Sequence, residues 1–389
     1  MMIKNICIIT KGYPSEKRMI NTFVEQLVNE FSNYDIKCYV ISPQSITQII
    51  FRGIPTNKKV YNRTNANGKK IEVFSPYYIS FSNIKKIINT NYLNLYSFEK
   101  AVNKIFKKLN KKIKFDIIYA HFIFPSAIVA NKLGKKYKIP VFFAYGENGV
   151  QNTQNCLGID KTKKMLEGIN GVISVSEENK KRLIENKIVS SDLIEVFPNA
   201  VDNNIFFKKD KLKMRKKLGY SKKDFIIIFV GRFIDVKGVN RLSEALTNIN
   251  NDNIKAIFIG NGPIKPNYKK TIFAGPVDHK NIVDYLSASD LFVLPTISEG
   301  CCNAIIEAIF CGLPVISSNE PFNDEILDEN CSIRIDTKKV NEIEKAINII
   351  YNDSDLRIKL SKGALKKAKN FTIQTRAKKI LEFMKSKIK

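Results

Sequence analysis

Residues 291–318 read LFVLPTISEGCCNAIIEAIFCGLPVISS and contain a strand, a loop, a helix and a second strand. The apolar run that ends at Pro295 predicts a buried strand, and the segment that opens around Asn303 predicts a helix. Gly312 and Pro314 predict the end of this helix and the start of the next strand, because glycine tolerates a left-handed backbone and proline cannot continue a helix. This unit is the building block of parallel sheets covered by helices.

The same alternation runs along the whole chain. Amphipathic stretches such as Thr22–Asn33 and 99–114 predict helices between short apolar runs. Those runs predict strands at 3–10, 37–41, 117–120, 141–144, 171–175, 194–197, 225–230, 254–260, 271–275, 291–295 and 314–317. A charged stretch at 203–224, which we expect to be irregular, separates the two series, and the hinge is predicted near 198–213. The predicted architecture is α/β, with two Rossmann-like, doubly wound parallel-sheet domains in tandem.

Length and composition exclude several classes of protein. The chain has 389 residues, of which 44% are hydrophobic, and this is enough for two cores and too apolar for a disordered chain. No apolar run reaches the ~18–20 residues of a membrane-spanning helix. The first ten residues lack a signal-peptide cleavage site, and a cytoplasmic location is expected. Seven scattered cysteines and two distant histidines predict reduced thiols and no metal site.

The net charge of +27 is unevenly distributed. Abundant Asn, Lys and Ile indicate an AT-rich genome, which raises the lysine content without a functional cause. Residues 52–114 nevertheless hold 15 basic residues against two acidic ones, and residues 370–389 hold six against one. Such clusters attract either anionic lipid or nucleic acid. A basic nucleic-acid-binding protein is therefore one open alternative, although the chain has no zinc finger and no groove-reading basic helix.

Ligands of open parallel sheets bind at the carboxyl ends of strands, so the candidate residues lie in the turns that follow them. Glu299 and Glu307 follow one strand, with Asn303 predicted as the N-cap of the helix between them. By spacing alone, this stretch also fits an ordinary turn with two solvated glutamates. Arg232 and Lys237 follow another strand, where they either neutralise a diphosphate or belong to a surface loop.

Further turns carry glycines and polar groups. Gly262 lies in a tight turn after a strand, and Gly12 follows the first strand, where close approach of an anion is possible. In the same half of the chain, His121 and the turn Tyr145-Gly146-Glu147-Asn148 follow two further strands. We expect these turns to open toward one cleft between the two domains, although a single histidine is often structural.

Taken together, these turns resemble the family-4 retaining glycosyltransferases, and the resemblance covers nearly the whole chain. The matching pieces are Glu299-x7-Glu307 with Gly312-Leu-Pro, Phe197-Pro-Asn199-Ala-Val-Asp202, Gly231-Arg232 with Lys237-Gly238, Phe273-Ala-Gly275-Pro-Val277, and His121 to Pro125 with Pro140 to Glu147. The resemblance implies the GT-B fold, in which two Rossmann-like domains face a cleft. It implies an acceptor domain of residues 1–200 joined by the terminal helix 370–389, and a nucleotide-sugar domain of residues 201–369.

The resemblance also implies site residues. It gives catalytic roles to Glu299, Arg232 and Lys237, donor contacts to Gly12, Gly262, Gly275, Asn303, Ala304, Ile305 and Glu307, and acceptor-side roles to His121, Tyr145 and Glu147. Glu307 would bind the ribose hydroxyls and Glu299 would face the donor sugar. Three positions depart from the family pattern: Tyr145-Gly146 replaces His-Gly, Ala200 replaces a linker glycine, and Asn21 stands where relatives often have glycine.

The activity implied by the resemblance is transfer of a sugar from a nucleotide-sugar, with retention, to a lipid-linked or glycan acceptor in bacterial surface polysaccharide synthesis. A UDP-sugar is the favoured donor. No cofactor is expected, because Arg232 and Lys237 can replace a divalent ion. The implied partners include an anionic membrane surface at the inner face of the cell membrane, and no nucleic acid. A nucleotide-sugar epimerase with the same fold is the other alternative.

Helix 99–114 leaves two interpretations open. Its apolar stripe and basic opposite face suit a helix packed on the sheet with one wet side, and they equally suit an interfacial helix.

Overall fold

The computed structural model describes residues 2–81, 89–147 and 151–388. Packing contacts divide the chain into two units, of which the first comprises Met1–Phe197 with Arg376–Lys389 and the second comprises Pro198–Thr375. The assignment of acceptor and donor to the two units stays a prediction. No helix among the described residues has both the length and the apolar character that a bilayer crossing requires.

The strands of the first unit are β1 (Asn5–Thr10), β2 (Lys37–Ile41), β3 (Gln44–Ser45), β4 (Val60–Thr64), β5 (Lys70–Phe74), β6 (Tyr77–Tyr78), β7 (Ile117–His121), β8 (Val141–Tyr145), β9 (Gly171–Ser174) and β10 (Ile194–Val196). Those of the second unit are β11 (Phe225–Val230), β12 (Ile254–Ile259), β13 (Thr271–Gly275), β14 (Leu291–Leu294), β15 (Val315–Ser318) and β16 (Ser332–Ile335).

The helices up to the hinge are α1 (Thr22–Asn33), α2 (Ile46–Arg52), α3 (Asn91–Asn110), α4 (Ile128–Tyr137), α5 (Gln151–Leu157), α6 (Ile159–Leu166) and α7 (Glu177–Glu185). The later helices are α8 (Lys211–Leu218), α9 (Val239–Ile249), α10 (Ile282–Ala288), α11 (Asn303–Phe310), α12 (Val340–Asn352), α13 (Ser354–Ala368) and α14 (Ile373–Lys387).

Eight strands of the first unit form one sheet in the order β10-β9-β8-β7-β1-β2-β5-β4. All neighbours are parallel except β4 and β5, which form an antiparallel pair. The central strands are continuous apolar runs because helices cover both faces, and Ile6 to Ile9 are fully buried in β1. The antiparallel pair was not predicted, although Asn67-Gly68 in its turn is a hairpin signal.

Helix α3 begins at Asn91 rather than at residue 99 and ends at Asn110. Its apolar stripe, which includes Val102 and Phe106, is buried in the core of the first unit. Of the two interpretations of this helix, the packed helix with one wet side is therefore confirmed.

Six strands of the second unit form a parallel sheet in the order β13-β12-β11-β14-β15-β16. Its core is built on β11, in which Ile226 to Phe229 are fully buried. The expectation that 203–224 is irregular is wrong in part, because Asp210 caps a helix there by accepting a hydrogen bond from the backbone N–H of Lys213, 2.7 Å away. Strand β16 was not predicted.

Each sheet has one point at which the strand order reverses. In the first unit the chain moves outward from β1 to β2 and returns on the other side at β7. In the second it moves outward from β11 to β12 and β13 and returns at β14. The predicted α/β class with two doubly wound sheets is confirmed, and each reversal point is where such sheets bind ligands.

Candidate functional site

The reversal point of the second sheet is formed by the loops that follow β11 and β14. The backbone N–H of Ile297 donates to the carbonyl of Val236 over 2.9 Å, and the hydroxyl of Thr296 donates to the same carbonyl over 3.2 Å. These bonds hold the two loops side by side. Lys237 from one loop thereby meets Glu299 from the other.

Lys237 and Glu299 form an ion pair between Nζ and Oε1. Their side chains are only 17% and 9% exposed. Two charges so far out of water are tolerated because each neutralises the other, and removing one partner would leave the other buried and uncompensated. An ammonium group has three donors, so Lys237 can bind Glu299 and still donate to a further oxygen.

Arg232 follows β11 at the same end of the sheet. Its side chain is exposed, and it forms no ion pair with any residue in the described part of the chain. A guanidinium carries five donors in a planar fork that fits phosphate oxygens.

Glycines in these loops let neighbouring backbones touch. A Cβ at Gly238, where φ is 77°, would lie 2.3 Å from the carbonyl oxygen of Pro295. At Gly260 it would lie 1.9 Å from the oxygen of Gly231, and at Gly262 it would lie 2.2 Å from the oxygen of Phe233. No side chain fits in these spaces. The group that lies close to the backbone of Gly262 is therefore the β11 loop of the protein, rather than a bound ligand.

Gly275 ends β13 and joins this group through its backbone. Its carbonyl accepts a hydrogen bond of 2.9 Å from the N–H of Gly260. A Cβ at Gly275 would meet only the edge of the Phe273 ring, at 3.8 Å. Of the predicted donor-binding glycines, Gly262 thus lies against the β11 loop, whereas Gly275 ends β13 and is bonded to Gly260 of the β12 loop.

The prediction that Asn303 is the N-cap of α11 is wrong. Cys302 occupies the cap position with an extended backbone, and the helix begins at Asn303. A capping side chain must project from an extended residue, and Asn303 has already turned into the helix. Its side-chain oxygen is buried and has no partner among the described residues.

No side chain caps the start of α11. The cap residue Cys302 is buried, and burial raises the pKa of its thiol. The predicted phosphate-binding segment Asn303, Ala304 and Ile305 therefore presents the first-turn amides of a helix whose start is not closed by a side chain.

Glu307 is the fifth residue of α11 and is buried. Its Oε1 atom lies 2.7 Å from Nε2 of His279, which follows β13. The His279 ring packs edge-on against the buried ring of Phe206, with 5.1 Å between the ring centres. Burial lowers the pKa of His279, but the hydrogen bond to Glu307 and its negative charge outweigh burial, and the net pKa is raised.

His279 is a site residue that the sequence analysis did not identify. The available signal was its position two residues after Gly275-Pro-Val277, at the carboxyl end of a predicted strand. Nothing in the local sequence relates it to Glu307, because the contact depends on how the β13 loop crosses toward α11.

The reversal point of the first sheet is formed by the loops after β1 and β7. Asn21 adopts a left-handed backbone with φ of 51°, and its amide donates to the carbonyl of Gly12 over 3.2 Å. A left-handed position favours glycine, which explains the departure noted at this position: Asn is one of the few other residues that tolerate it. A Cβ at Gly12 would lie 2.7 Å from Cδ1 of Ile20, so Gly12 is closely surrounded by this loop.

His121 ends β7 and is buried among aromatic rings. Its Nδ1 atom is 3.2 Å from the hydroxyl of Tyr119, and the rings of Phe23 and Phe122 lie 5.1 and 4.5 Å from its own. Burial, assisted by the positive charge of Arg376, lowers the pKa of His121 to about 3. The imidazole is therefore neutral at physiological pH.

Tyr145, which was expected in the turn, is the last residue of β8, and Glu147 lies in the turn that follows. Asn148 of that turn lies outside the described residues. The hydroxyl of Tyr145 is buried without a hydrogen-bond partner among the described residues, and burial raises its pKa. Burial also raises the pKa of Glu147 to about 7, although a backbone hydrogen bond from Ile123 and the charge of Lys11 oppose it.

Glu147 and Lys11 both line a cavity of about 540 Å³ in the first unit. The wall also includes Phe51 and Arg52 of α2, Phe81, and Asn94 in the first turn of α3. In the described part of the chain, no three His, Cys, Asp or Glu side chains lie close enough to share a metal ion. None of the seven cysteines, all of which lie in the described part of the chain, forms a disulfide.

Two family profiles match the chain. The profile described as Glycosyltransferase Family 4 matches residues 20–204, and that described as Glycosyl transferases group 1 matches residues 210–367. A UDP-Gal:alpha-D-GlcNAc-diphosphoundecaprenol alpha-1,3-galactosyltransferase of Escherichia coli is 30% identical over 311 residues, which is 70% of this chain and 76% of that protein. This chain is a family-4 glycosyltransferase. The predicted family and the glycosyltransferase class are confirmed, whereas the retaining course of the reaction stays a prediction.

Further relatives agree with this family-4 assignment. The putative teichuronic acid biosynthesis glycosyltransferase TuaC of Bacillus subtilis is 28% identical over 352 residues, which is 87% of each chain. Among solved structures, Anabaena HepE in complex with UDP has a TM-score of 0.73 at 18% identity, covering 99% of this chain and 100% of the other. Sucrose-phosphate synthase from Thermosynechococcus elongatus has a TM-score of 0.76 at 16% identity and covers 98% of both chains. These structures support the GT-B fold.

Proposed function

We propose that this family-4 glycosyltransferase moves a sugar from a nucleotide-sugar to a lipid-linked or oligosaccharide acceptor in bacterial surface polysaccharide synthesis. The names of the relatives support this choice. The E. coli relative acts on a diphosphoundecaprenol-linked sugar, and TuaC is named for teichuronic acid biosynthesis. A UDP-sugar is the favoured donor, because that E. coli enzyme uses UDP-Gal and HepE was crystallised with UDP.

The observation that carries the proposal is the pairing of Lys237 with Glu299 at the reversal point of the second sheet, with Glu307 one helix turn inside α11. Breaking a sugar–phosphate bond places negative charge on the departing diphosphate. Lys237, Arg232 and the uncapped amides of α11 would stabilise that charge in place. Glu299 would both hold Lys237 and face the donor sugar.

Glu307 would bind the ribose of the donor. A carboxylate accepts hydrogen bonds at two oxygens, and His279 occupies Oε1. The Oε2 atom would then accept from a ribose hydroxyl. His279 would act as a positioning residue, because its hydrogen bond fixes the direction in which Oε2 points.

We further propose that transfer proceeds with retention and without a metal ion. The acceptor hydroxyl would attack on the face from which the diphosphate leaves, and the leaving phosphate oxygen would take the proton of that hydroxyl. Two cationic side chains would supply the charge stabilisation that a divalent ion gives in other transferases.

The acceptor would bind to the first unit and the donor to the second. His121 is neutral and fully enclosed, so it would orient a neighbouring group by hydrogen bonding rather than by charge. Tyr145 and Glu147 would complete the acceptor side. The enzyme would work at the cytoplasmic face of the membrane, where lipid-linked acceptors are presented.

A thermal-shift comparison of UDP-, GDP-, ADP- and dTDP-sugars tests the proposal. A nucleotide-sugar at about 100 times its dissociation constant should add about 2.7 kcal/mol to the free energy of unfolding. We expect the largest shift with a UDP-sugar, and a much smaller one in Glu307→Gln. Absence of a shift with all four donors would contradict the proposed function, and conversion of the donor without an acceptor would favour the epimerase alternative.

A further inference from the structure

Helix α2 is apolar and yet has no buried residue. Its sequence is ITQIIFR, and all seven side chains reach the surface at least in part. Ile50 is 67% exposed and Phe51 is 81% exposed. Apolar helix residues are ordinarily turned toward a core, and no core in the described part of the chain covers Ile50 and Phe51.

Two neighbouring segments also carry exposed apolar side chains, and they are hydrogen-bonded to one another or to α2. The hydroxyl of Thr47 donates to the carbonyl of Ser80 over 2.5 Å, which joins α2 to the segment 77–81. The backbone N–H of Phe81 donates to the side chain of Asn94 over 2.6 Å, which joins that segment to the start of α3. The three segments thus form one continuous surface.

This surface collects exposed apolar side chains. Of the seventeen large hydrophobic side chains that are exposed in the described part of the chain, eight lie here: Ile50, Phe51, Tyr77, Ile79, Phe81, Tyr92, Leu93 and Tyr96. We refer to these eight as the aromatic rim. Phe51 and Phe81 also line the 540 Å³ cavity whose wall contains Lys11 and Glu147, so the rim borders the opening of that cavity.

The segments that form the rim carry charge of one sign. Residues 46–60, 77–81 and 89–98 contain no acidic side chain, whereas Arg52, Lys58 and Lys59 are exposed. The ammonium group of Lys161 lies 5.0 Å from the centre of the Tyr92 ring. Exposed aromatic and aliphatic side chains flanked by cations match the interface of an anionic bilayer, where rings lie at the headgroup level and cations attract anionic lipid.

We propose that the aromatic rim inserts into the interface of an anionic bilayer. The proposal rests on the proposed function, because it lets a lipid-linked acceptor enter the cavity without leaving the membrane. Helix α3 contributes to this contact only through its first turns, since Val102 and Phe106 farther along the helix are buried in the core. Cations attract the protein to the surface, and the rim adds a component of binding that salt does not screen.

The chain contains no tryptophan, which makes a single introduced tryptophan an unambiguous reporter of insertion. Ile50→Trp and Tyr96→Trp place it on the rim at positions that do not line the cavity. Ile349→Trp places it on α12 of the second unit, where the native side chain is 50% exposed. With vesicles of mixed anionic and zwitterionic lipid, we expect blue-shifted emission and quenching by brominated acyl chains for the two rim variants alone.

Truncation measures how much the rim contributes. Ile50→Ser and Tyr96→Ser should each weaken partition onto these vesicles about tenfold, whereas the matched control Ile349→Ser should leave it unchanged. Part of the wild-type binding should persist at high salt, and that part should be lost in the rim variants. Unchanged melting temperatures and unchanged binding of the donor nucleotide would establish that the variants are folded.

Several outcomes would overturn the proposal. If brominated lipid quenched the tryptophan of Ile349→Trp as strongly as those of the rim variants, the membrane contact would not be confined to the rim. If Ile50→Trp bound vesicles without a blue shift of its emission, the rim would not be the inserting surface. Blue-shifted emission of the rim variants without vesicles, together with dimers in sedimentation, would show that a second copy covers the rim. None of these results bears on donor binding, so failure of the rim is distinguishable from failure of the proposed transferase activity.

Discussion

Nε2 of His279 lies 2.7 Å from Oε1 of Glu307, although the two residues are 28 positions apart in sequence. His279 comes from the loop after β13, and Glu307 comes from the helix after β14. The contact fixes the orientation of the buried Glu307 carboxylate. This carboxylate lies at the end of the sheet where we propose that the donor nucleotide binds. His279 is therefore expected to control how well that carboxylate binds without contacting the reacting atoms.

Replacing His279 by phenylalanine should weaken donor binding. The phenyl ring keeps the packing against Phe206 but removes the hydrogen bond to a charged partner, which is worth enough to change affinity about tenfold. The expected result is a donor KM about tenfold higher with a smaller change in kcat. Steady-state kinetics with varied donor measures both.

His279→Gln and the neighbouring Lys280→Ala serve as controls. Glutamine carries an N–H donor and should recover part of the affinity, and the exposed Lys280 should be replaceable without effect. A fall in kcat at constant KM would contradict a positioning role.

The same pair should make stability depend on pH. The pKa of His279 is raised in the folded protein, so its pairing with Glu307 stabilises fully below the unfolded value of ~6.5 and is lost as pH rises through the raised folded value. The wild type should therefore exceed Glu307→Gln in stability by more at pH 6 than at pH 9. Urea unfolding at the two pH values measures this difference, and a larger difference at pH 9 would refute the assignment.

Arg232→Ala and Lys237→Ala should each lower turnover by ~10²-fold, the scale for losing one preorganised electrostatic group. The two variants should differ in stability. Arg232 is exposed, and its loss should leave the melting temperature unchanged. Loss of Lys237 should lower the melting temperature, because it leaves the buried Glu299 carboxylate without its cationic partner. Turnover assays and thermal melts separate the two effects.

The double variant Lys237→Ala with Glu299→Gln tests the electrostatic explanation. Neutralising Glu299 should restore much of the lost stability without restoring turnover. The exposed Lys222, in the same unit, supplies a control in Lys222→Ala, which should behave as wild type. Near-normal turnover in both single variants would remove Arg232 and Lys237 from the proposed mechanism.

Glu147 should also affect stability in a pH-dependent way. Burial raises its pKa to about 7 in the folded protein from an ordinary value of 4.5. As pH rises from 4.5 to about 7, the unfolded state ionises this carboxyl group more readily than the folded state does, and the folded protein loses stability. Glu147→Gln should therefore gain stability relative to wild type between pH 5 and pH 8. Urea unfolding at both values measures the gain, and the exposed Glu195→Gln should show none. An equal difference at both pH values would count against the raised pKa.

The strands and their parallel order could be predicted because a strand that is covered on both faces must be apolar throughout. Strand β11, with the sequence FIIIFV, has all six residues buried and was identified with its observed bounds. The β4–β5 pair was missed because it is antiparallel and lies at the sheet edge, where exposed lysines interrupt the apolar pattern. The first turns of α3 were missed because Tyr92, Leu93 and Tyr96 are exposed and obscure its helical period.

Site residues that follow strands were accessible to sequence reasoning, because the carboxyl ends of parallel strands meet at one edge. Lys237 and Glu299 were selected separately on that ground, and the structure pairs them directly. The contact of His279 with Glu307 was not accessible, since it depends on the path of a loop. The capping position was misassigned because Asn303 has the side chain of a good cap, while the backbone turns one residue earlier.

The close approach of Gly260 to Gly231 has a consequence for mutagenesis of the loops after β11 and β12. With only 1.9 Å between a hypothetical Cβ and the facing oxygen, the loops after β11 and β12 must shift together or not at all. A mutant library that randomises Gly260 or Gly262 would mostly recover proteins with a displaced Arg232. Diversity is better introduced at Asn261, whose exposed side chain lies between those two glycines and can vary without parting the two backbones.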